Sequence, residues 1–177
     1  MQRVSERRAT PAVDLVPWGD DELALLEQLV GDPAMMAHLG GPESPEKIAE
    51  RQGRYAAEGS GMFKIVDLAT GTAVGSVGYW ERAWRDEEVY EVGWSVIPAL
   101  QGRDAAATAQ LLALAGAKGT RRYAHAYPSV DNAPSNGLCR KLGFTLLGEH
   151  GFEYPPGNPI RCNDWRYDLR SGPSPSR

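Results

Sequence analysis

Hydrophobic and polar residues alternate in seven short runs of this chain, and alternation with a period of two predicts β-strands. The runs cover residues 13–18, 61–68, 72–81, 87–96, 122–127, 144–152 and 163–169. The second and third runs are expected to form a hairpin around the turn at residues 69–71. The stretch ERAWRDEE, residues 81–88, is predicted to be a loop, with Trp80 at its edge and Trp84 inside it.

Helical periodicity occupies the gaps between these runs. Residues 21–30 form an apolar-periodic segment that Asp20 and Asp21 are expected to cap, and residues 45–57 form a second helical segment. An alanine-rich helix follows the fourth strand, and a shorter helix precedes the sixth. Strands first, and then strand, helix, strand, helix and strand, indicate an α+β fold with helices on both faces of a mixed sheet.

The shorter helix lies within residues 129–144, SVDNAPSNGLCRKLGF. Asp131 or Asn132 can cap its start, because short polar side chains accept hydrogen bonds from the first helical N–H groups. Gly143 can end it in the left-handed conformation, and Phe144 then begins an apolar run. The segment therefore reads as a loop, a helix and a strand.

The alanine-rich helix begins directly after a strand that Pro98 ends. Its opening turn is Gln101, Gly102, Arg103, Asp104, Ala105 and Ala106. Free backbone N–H groups and the positive end of a helix dipole can bind an anion such as a pyrophosphate. A glycine-containing turn is weak evidence by itself, because strand, turn and helix are common architecture.

Two motifs together resemble one family. The pattern Asn-x-x-Ser-x-x-Leu-x-x-Lys-Leu-Gly-Phe at residues 132–144 resembles the C-terminal motif of the GNAT superfamily, the acyl-CoA-dependent N-acetyltransferases. The resemblance is closest to the Rim-type branch, which acetylates ribosomal proteins. Residues 91–119, EVGWSVIPALQGRDAAATAQLLALAGAKG, resemble the central strand, pyrophosphate turn and following helix of the same superfamily. The likeness covers about residues 10–170 and implies a central mixed, mostly antiparallel sheet.

The resemblance also implies a reaction in which an amine attacks the thioester of acetyl-CoA directly, without a metal. It assigns Glu91 as the base, with Glu88 as the alternative, and Ser135 as the acid for the departing thiolate. The implied cofactor-binding residues are Ser95, Val96, Gln101, Gly102, Arg103, Asp104, Ala105, Ala106 and Asn132. The residues alone also allow Glu91 to be a solvated carboxylate and Ser135 a capping hydroxyl.

Asp104 departs from the family pattern, which usually has a glycine at this position. Its carboxylate can face the phosphates and weaken coenzyme binding, or it can point to solvent in the first helical turn. The second interpretation is favoured here, because an acid suits the start of a helix and Arg103 is its neighbour.

Composition adds limits to these expectations. A chain of 177 residues is expected to form one acetyltransferase domain, residues 11–170, between a flexible arm at 1–10 and a disordered tail at 171–177. A net charge of −4 argues against nucleic-acid binding, and no apolar run has membrane-spanning length. Cys139 and Cys162 are expected to be structural thiols in a cytoplasmic protein. The histidines show no metal-binding spacing.

The acceptor is expected to be a small-molecule or peptide amine, and a homodimer is an allowed assembly. Trp80, Trp84 and the turn-rich segment 150–159, which carries Phe152 and Tyr154, are candidates for the wall of the acceptor pocket. An alternative from another class is a non-catalytic acyl-CoA sensor with the same fold.

Overall fold

The computed structural model describes residues 12–100 and 102–171. The predicted arm at residues 1–10 and, apart from Ser171, the predicted tail lie outside the described residues. The strands of the described chain are β1 (Val13–Pro17), β2 (Met62–Asp67), β3 (Thr72–Trp84), β4 (Glu87–Val96), β5 (Tyr123–Ala126), β6 (Thr145–Glu153) and β7 (Pro159–Asp168). The helices are α1 (Leu23–Val30), α2 (Pro45–Ala56), α3 (Asp104–Lys118) and α4 (Ala133–Leu142).

The seven strands form one sheet in the order β1-β2-β3-β4-β5-β7-β6. Only β4 and β5 pair in parallel, and the other neighbours pair antiparallel. The predicted α+β fold around a mixed, mostly antiparallel sheet is therefore confirmed.

Each face of the sheet packs against its own pair of helices. On β3, Val74 belongs to a core that includes Leu111 of α3 and Cys139 of α4. The next residue back, Ala73, packs on the opposite side against a smaller core built from Leu26 of α1 and Ile48 of α2. Side chains of successive strand residues point to opposite faces, so the sheet is covered on both.

The predicted loop at residues 81–88 is wrong, because β3 continues to Trp84 and β4 begins at Glu87. The intervening turn has only two residues, Arg85 (φ 48°) and Asp86 (φ 63°). Two-residue hairpin turns require positive φ and usually contain asparagine or glycine. Arginine and aspartate gave no such signal, so the end of β3 was missed.

Two other boundaries differ from the predictions. Strand β6 extends through Glu153 and β7 begins at Pro159, so half of the predicted turn-rich segment is strand and Cys162 lies inside β7. Helix α1 begins at Leu23 after Glu22, which makes no side-chain capping bond, so the caps predicted at Asp20 and Asp21 are wrong. In the part of the chain that the structure describes, the helices are too short or too polar to span a bilayer.

Candidate active site

A cleft opens between β4 and β5 where the two strands separate. They pair only at Tyr90 with Ala124 and at Glu91 with His125, whereas β4 stays paired with β3 as far as Val96. The Ile97 N–H donates to Val74 O on the β3 side. Because alternate strand residues direct their N–H groups to opposite neighbours, the Ser95 N–H points to β3 and the Val96 N–H points into the cleft. Of the two predicted residues, Val96 is the one that offers its N–H there.

The start of α3 lies beside this cleft. Gly102 has φ +102°, a conformation that favours glycine, and its N–H-rich turn leads into Asp104, Ala105 and Ala106. Arg103 turns away, because its guanidinium approaches Asp67 at 3.5 Å rather than Asp104. Gln101, the first predicted residue of this turn, lies outside the described residues.

Asp104 does not simply point to solvent as favoured from the sequence. It is half-buried, and its Oδ1 accepts a hydrogen bond from the Ala105 N–H at 2.9 Å. That N–H belongs to the first turn of α3, where an anion would bind. The carboxylate therefore takes up an N–H group of the turn that the sequence predicts to bind a pyrophosphate.

The start of α4 faces the cleft from the other side. Asn132, not Asp131, caps the helix, because its Oδ1 accepts a hydrogen bond from the Ser135 N–H at 3.2 Å. The Asn132 acceptor is thus occupied, and among the described residues its side-chain NH₂ has no partner. The Ser135 hydroxyl is not the cap; it accepts a hydrogen bond from the Trp94 indole N–H at 3.3 Å. Its own proton remains free to donate to another group.

Glu91 points away from α3, on the face of β4 that also carries Gly93. Its Oε2 accepts hydrogen bonds from Arg82 at 2.7 Å and from the Trp80 indole N–H at 3.1 Å. Its Oε1 has no partner within the described chain. Glu88, the alternative base, is 69% exposed and pairs with Arg121.

Gly93 allows the Trp80 ring to lie across β4. A Cβ at this position would stand 3.0 Å from Trp80 Cη2, which is tighter than ordinary contact. Glycine therefore permits the approach that brings the indole N–H to Glu91.

Two adjoining cavities meet at this site. The first, about 380 Å³, is lined by Ser95, Val96 and Asp104 among others. The second, about 540 Å³, is lined by Glu91, Arg82 and aromatic side chains. Nine of the described residues belong to both linings: His38, Leu39, Arg51, Trp80, Gly93, Trp94, Asn132, Ser135 and Tyr154. Ser135 thus lies at the boundary between a cavity near α3 and a cavity that contains the Glu91 carboxylate.

Arg82 lies within an aromatic cluster in the second cavity. Its Cζ is 4.8 Å from the ring centroid of Tyr127, 5.3 Å from that of Trp84 and 5.4 Å from that of Phe152. The Tyr127 hydroxyl is buried without a partner among the described residues, and burial raises its pKa. This tyrosine therefore stays neutral and is not exposed to the cavity as an acid.

Beneath the cluster is a buried polar pair. His125 Nδ1 lies 2.6 Å from Asp164 Oδ1, and Trp84 donates its indole N–H to Asp164 Oδ2 at 3.0 Å. Burial alone would raise the pKa of Asp164, but the hydrogen bonds from His125 and Trp84 outweigh it and lower the pKa. Because the carboxylate is then ionised and can only accept, His125 Nδ1 carries the proton.

A bridge between α2 and the β6-β7 turn borders both cavities. Arg51 binds both carboxylate oxygens of Glu43 and also donates to the hydroxyls of Tyr55 and Tyr154. Gly40 packs against Pro155, since a Cβ at Gly40 would stand 2.5 Å from Pro155 Cδ. The loop after α1 and the β6-β7 turn therefore meet above the site.

The sequence matches the family model described as the acetyltransferase (GNAT) domain over residues 13–145. This match covers most of the chain. The chain belongs to the GNAT acetyltransferase family. The family predicted from the two motifs is thereby confirmed, and this GNAT enzyme transfers acetyl groups. It matches no curated protein sequence at a significant level.

Solved structures share the fold at low sequence identity. A GNAT-family acetyltransferase from Bacillus anthracis has a TM-score of 0.75 at 16% identity, covering 89% of this chain and 95% of the other. A spermidine N-acetyltransferase from Vibrio cholerae, in complex with CoA and spermine, has a TM-score of 0.73 at 15% identity, covering 89% of this chain and 96% of the other. An acetyltransferase from Salmonella typhimurium that modifies the N-terminal serine of ribosomal protein L7/L12 has a TM-score of 0.69 at 22% identity, covering 88% of this chain and 94% of the other.

Neither cysteine of this GNAT enzyme is positioned as a nucleophile. Burial raises the pKa of Cys139 to about 12 and also raises that of Cys162, so both thiols stay protonated. Within residues 12–100 and 102–171, no cluster of three or more histidine, cysteine or acidic side chains is arranged to hold a metal ion.

Several site residues of this acetyltransferase were missed from the sequence. The sequence predicts a loop at Arg82, although Trp80, Arg82 and Trp84 recur with the period of two that marks one face of a strand. Asp164 and Arg51 gave no local signal, because their partners are distant in the chain.

Proposed function

We propose that this GNAT acetyltransferase transfers the acetyl group of acetyl-CoA to a primary amine by direct attack. The observation that supports it most is the position of Ser135 on the boundary between two cavities, one reaching Asp104 at the start of α3 and the other containing Glu91. Such an arrangement suits two substrates that approach one reacting centre from opposite sides.

The residues around the first cavity fit an acyl-CoA. The open N–H of Val96 and the unbonded side-chain NH₂ of Asn132 match the needs of a pantetheine arm, and the turn from Gly102 to Ala106 matches those of a pyrophosphate. Asp104 opposes this fit by its charge. When bound, acetyl-CoA would supply a thioester, whose carbonyl oxygen a backbone N–H can stabilise as negative charge develops.

Glu91 is the proposed base. An amine with a pKa near ~10 is almost entirely ammonium at neutral pH and must lose a proton before it can attack. Arg82 and Trp80 both bind Oε2 of Glu91, which leaves Oε1 to accept that proton directly or through water.

Ser135 is the proposed acid. As the N–C bond forms and the C–S bond breaks, its hydroxyl donates a proton to the leaving sulfur. The second proton lost by the nitrogen replaces it, so the products are an amide and free CoA thiol. The Trp94 indole N–H binds the Ser135 oxygen and holds it in place without using its proton.

The test is release of free thiol from acetyl-CoA with a panel of amines, together with thermal stabilisation by CoA. We expect stabilisation by CoA and thiol release with at least one amine. Stabilisation without turnover of any amine would instead identify an acyl-CoA sensor. Absence of both would contradict acyl-CoA binding itself.

A further inference from the structure

We propose that the amine acceptor is a free α-amino acid, whose carboxylate binds Arg82 while its ammonium binds Oε1 of Glu91. This inference rests on the proposed function and names the substrate class of the same site. It follows from how the two charged side chains are held in the second cavity.

Arg82 is fixed in position by its surroundings. Rings of Trp84, Tyr127 and Phe152 surround the guanidinium, and Glu91 Oε2 accepts one hydrogen bond from Nη1. Trp84 is itself held by the buried carboxylate of Asp164. A guanidinium held this way loses little freedom when it binds a further group.

Most of the donors of Arg82 remain available. Nε and Nη2 have no hydrogen-bond partner among the described residues. Neither nitrogen is among the buried side-chain atoms that lack a partner, so both are accessible. Arg51, the other arginine that lines the second cavity, differs because Glu43 and two tyrosine hydroxyls take up four of its five N–H donors. Among the described residues that line this cavity, Arg82 is therefore the arginine with a pair of donors, Nε and Nη2, left for a carboxylate.

The open groups match a zwitterion. Glu91 Oε1 can accept from an ammonium, and the remaining Arg82 donors can bind a carboxylate through paired hydrogen bonds. The two side chains are joined by a 2.7 Å contact, so their open groups are neighbours. In an α-amino acid the ammonium and the carboxylate are likewise neighbours, since one carbon carries both.

The same arrangement disfavours a polyamine. Arg82 already neutralises Glu91 and would repel a second ammonium group. Glu43 is neutralised by Arg51 and does not line the second cavity, and Glu153, which does line it, is exposed to solvent. A volume of about 540 Å³ is in the range of small-molecule sites.

The experiment measures kcat/KM for acetyl transfer to alanine, methionine and phenylalanine. Each amino acid is compared with its amide, which lacks the carboxylate charge, and with its decarboxylated amine; spermidine is included. We expect at least one amino acid to exceed its own amide and amine about tenfold or more. The amide has the less basic amine and so more free base at neutral pH, which makes the comparison conservative.

Arg82→Gln should lower the ratio of amino acid to amide by about tenfold to a hundredfold, because one charged contact is lost. The ratio is used since Arg82→Gln also affects Glu91 and will lower both rates. Arg161→Gln is the matched control: this arginine pairs with Glu149 on the exposed β6-β7 hairpin, and its removal should leave the ratio unchanged.

Turnover of amides, amines or spermidine as good as that of the amino acids would overturn the inference and leave the acetyltransferase function intact. An unchanged ratio in Arg82→Gln would overturn it as well. Turnover of none of the amines would overturn both proposals.

Discussion

Asp104 is the residue at which this chain departs from the family pattern of the proposed pyrophosphate turn. Its carboxylate accepts the Ala105 N–H and lines the first cavity. A bound pyrophosphate would meet this negative charge within a few ångströms and compete with it for the same N–H group. We therefore expect the side chain to weaken coenzyme binding.

Asp104→Asn should tighten binding of acetyl-CoA roughly tenfold, or ~1.4 kcal/mol, because the amide keeps an acceptor for the Ala105 N–H but removes the charge. Isothermal titration calorimetry at low and high salt measures this, and the gain should shrink as salt rises. Asp131→Asn, an exposed acid before α4, is the control. Equal affinities of Asp104→Asn and wild type for acetyl-CoA would show that the Asp104 charge does not repel the coenzyme.

Ser135 can be tested by separating binding from turnover. Ser135→Ala should lower kcat by about a hundredfold, the lower end of what one general acid contributes. The Kd of CoA should stay close to the wild-type value, because Asn132 and not Ser135 caps α4. Steady-state thiol release gives kcat, and calorimetry gives the Kd of CoA. An unaltered kcat would exclude Ser135 as the acid.

At the scale of the elements, the sequence was sufficient where local chemistry decides the structure. The bounds predicted for β4, residues 87–96, are those observed, because Pro98 stops the strand and its alternation is clear. The stop of α4 at Gly143 was also predicted, since only a residue that tolerates positive φ suits that position. The prediction for the β3-β4 turn was wrong because its local chemistry is unusual. Arg85 and Asp86 adopt positive φ there, although asparagine and glycine are the residues that usually do so.

Two glycines on helices should respond oppositely to alanine. Gly53, in the exposed interior of α2, has open space for a Cβ, so Gly53→Ala should stabilise the protein by about 0.5–1 kcal/mol. Gly143 ends α4 at φ +88°, so Gly143→Ala should cost about 1 kcal/mol or more. Urea unfolding measures both, and changes of the same sign would contradict the helix-end assignment.

At the scale of the whole molecule, one buried carboxylate links strands that are distant in the chain. Asp164 of β7 accepts from His125 of β5 and from Trp84 of β3, and its side chain has no solvent exposure. Through Trp84 it also supports the ring cluster around Arg82. No sequence pattern marks such a network, because its members are 39 and 80 residues apart.

Asp164→Asn should lower the free energy of unfolding at pH 7 by about 3 kcal/mol, since one partner of a buried pair loses its charge. The lowered pKa of Asp164 means that its stabilisation is complete above the unfolded value of about 3.9 and is lost as pH falls through the folded value. The gap between wild type and variant should therefore narrow below about pH 4.

Denaturant unfolding from pH 7 to pH 3 measures this gap. Asp168→Asn, on the same strand, removes an exposed pair with Arg122 and should cost less than about 1 kcal/mol. A gap for Asp164→Asn that stays constant with pH would show that the carboxylate charge contributes nothing to stability.

The site as a whole was predicted in part. Glu91, Asn132 and Ser135 came from motifs, and the structure brings all three to the linings of the two cavities. Trp80 and Arg82, which bind Glu91, did not come from motifs. Strand pairing places Trp80 opposite Glu91, and Arg82 opposite Val89 on the same side of the hairpin. Motifs indicated the coenzyme side of the site better than the acceptor side, which depends on contacts between distant segments.

The measurement that tests the proposed chemistry most directly compares steady-state thiol release by wild type, Glu91→Gln and Glu88→Gln. Glu91→Gln should lose about a hundredfold or more in kcat with CoA binding retained, because Oε1 can no longer take the proton. Glu88→Gln, which alters an exposed carboxylate paired with Arg121, should keep the wild-type rate. Wild-type turnover by Glu91→Gln, or a comparable loss in Glu88→Gln, would contradict the assignment of Glu91 as the base.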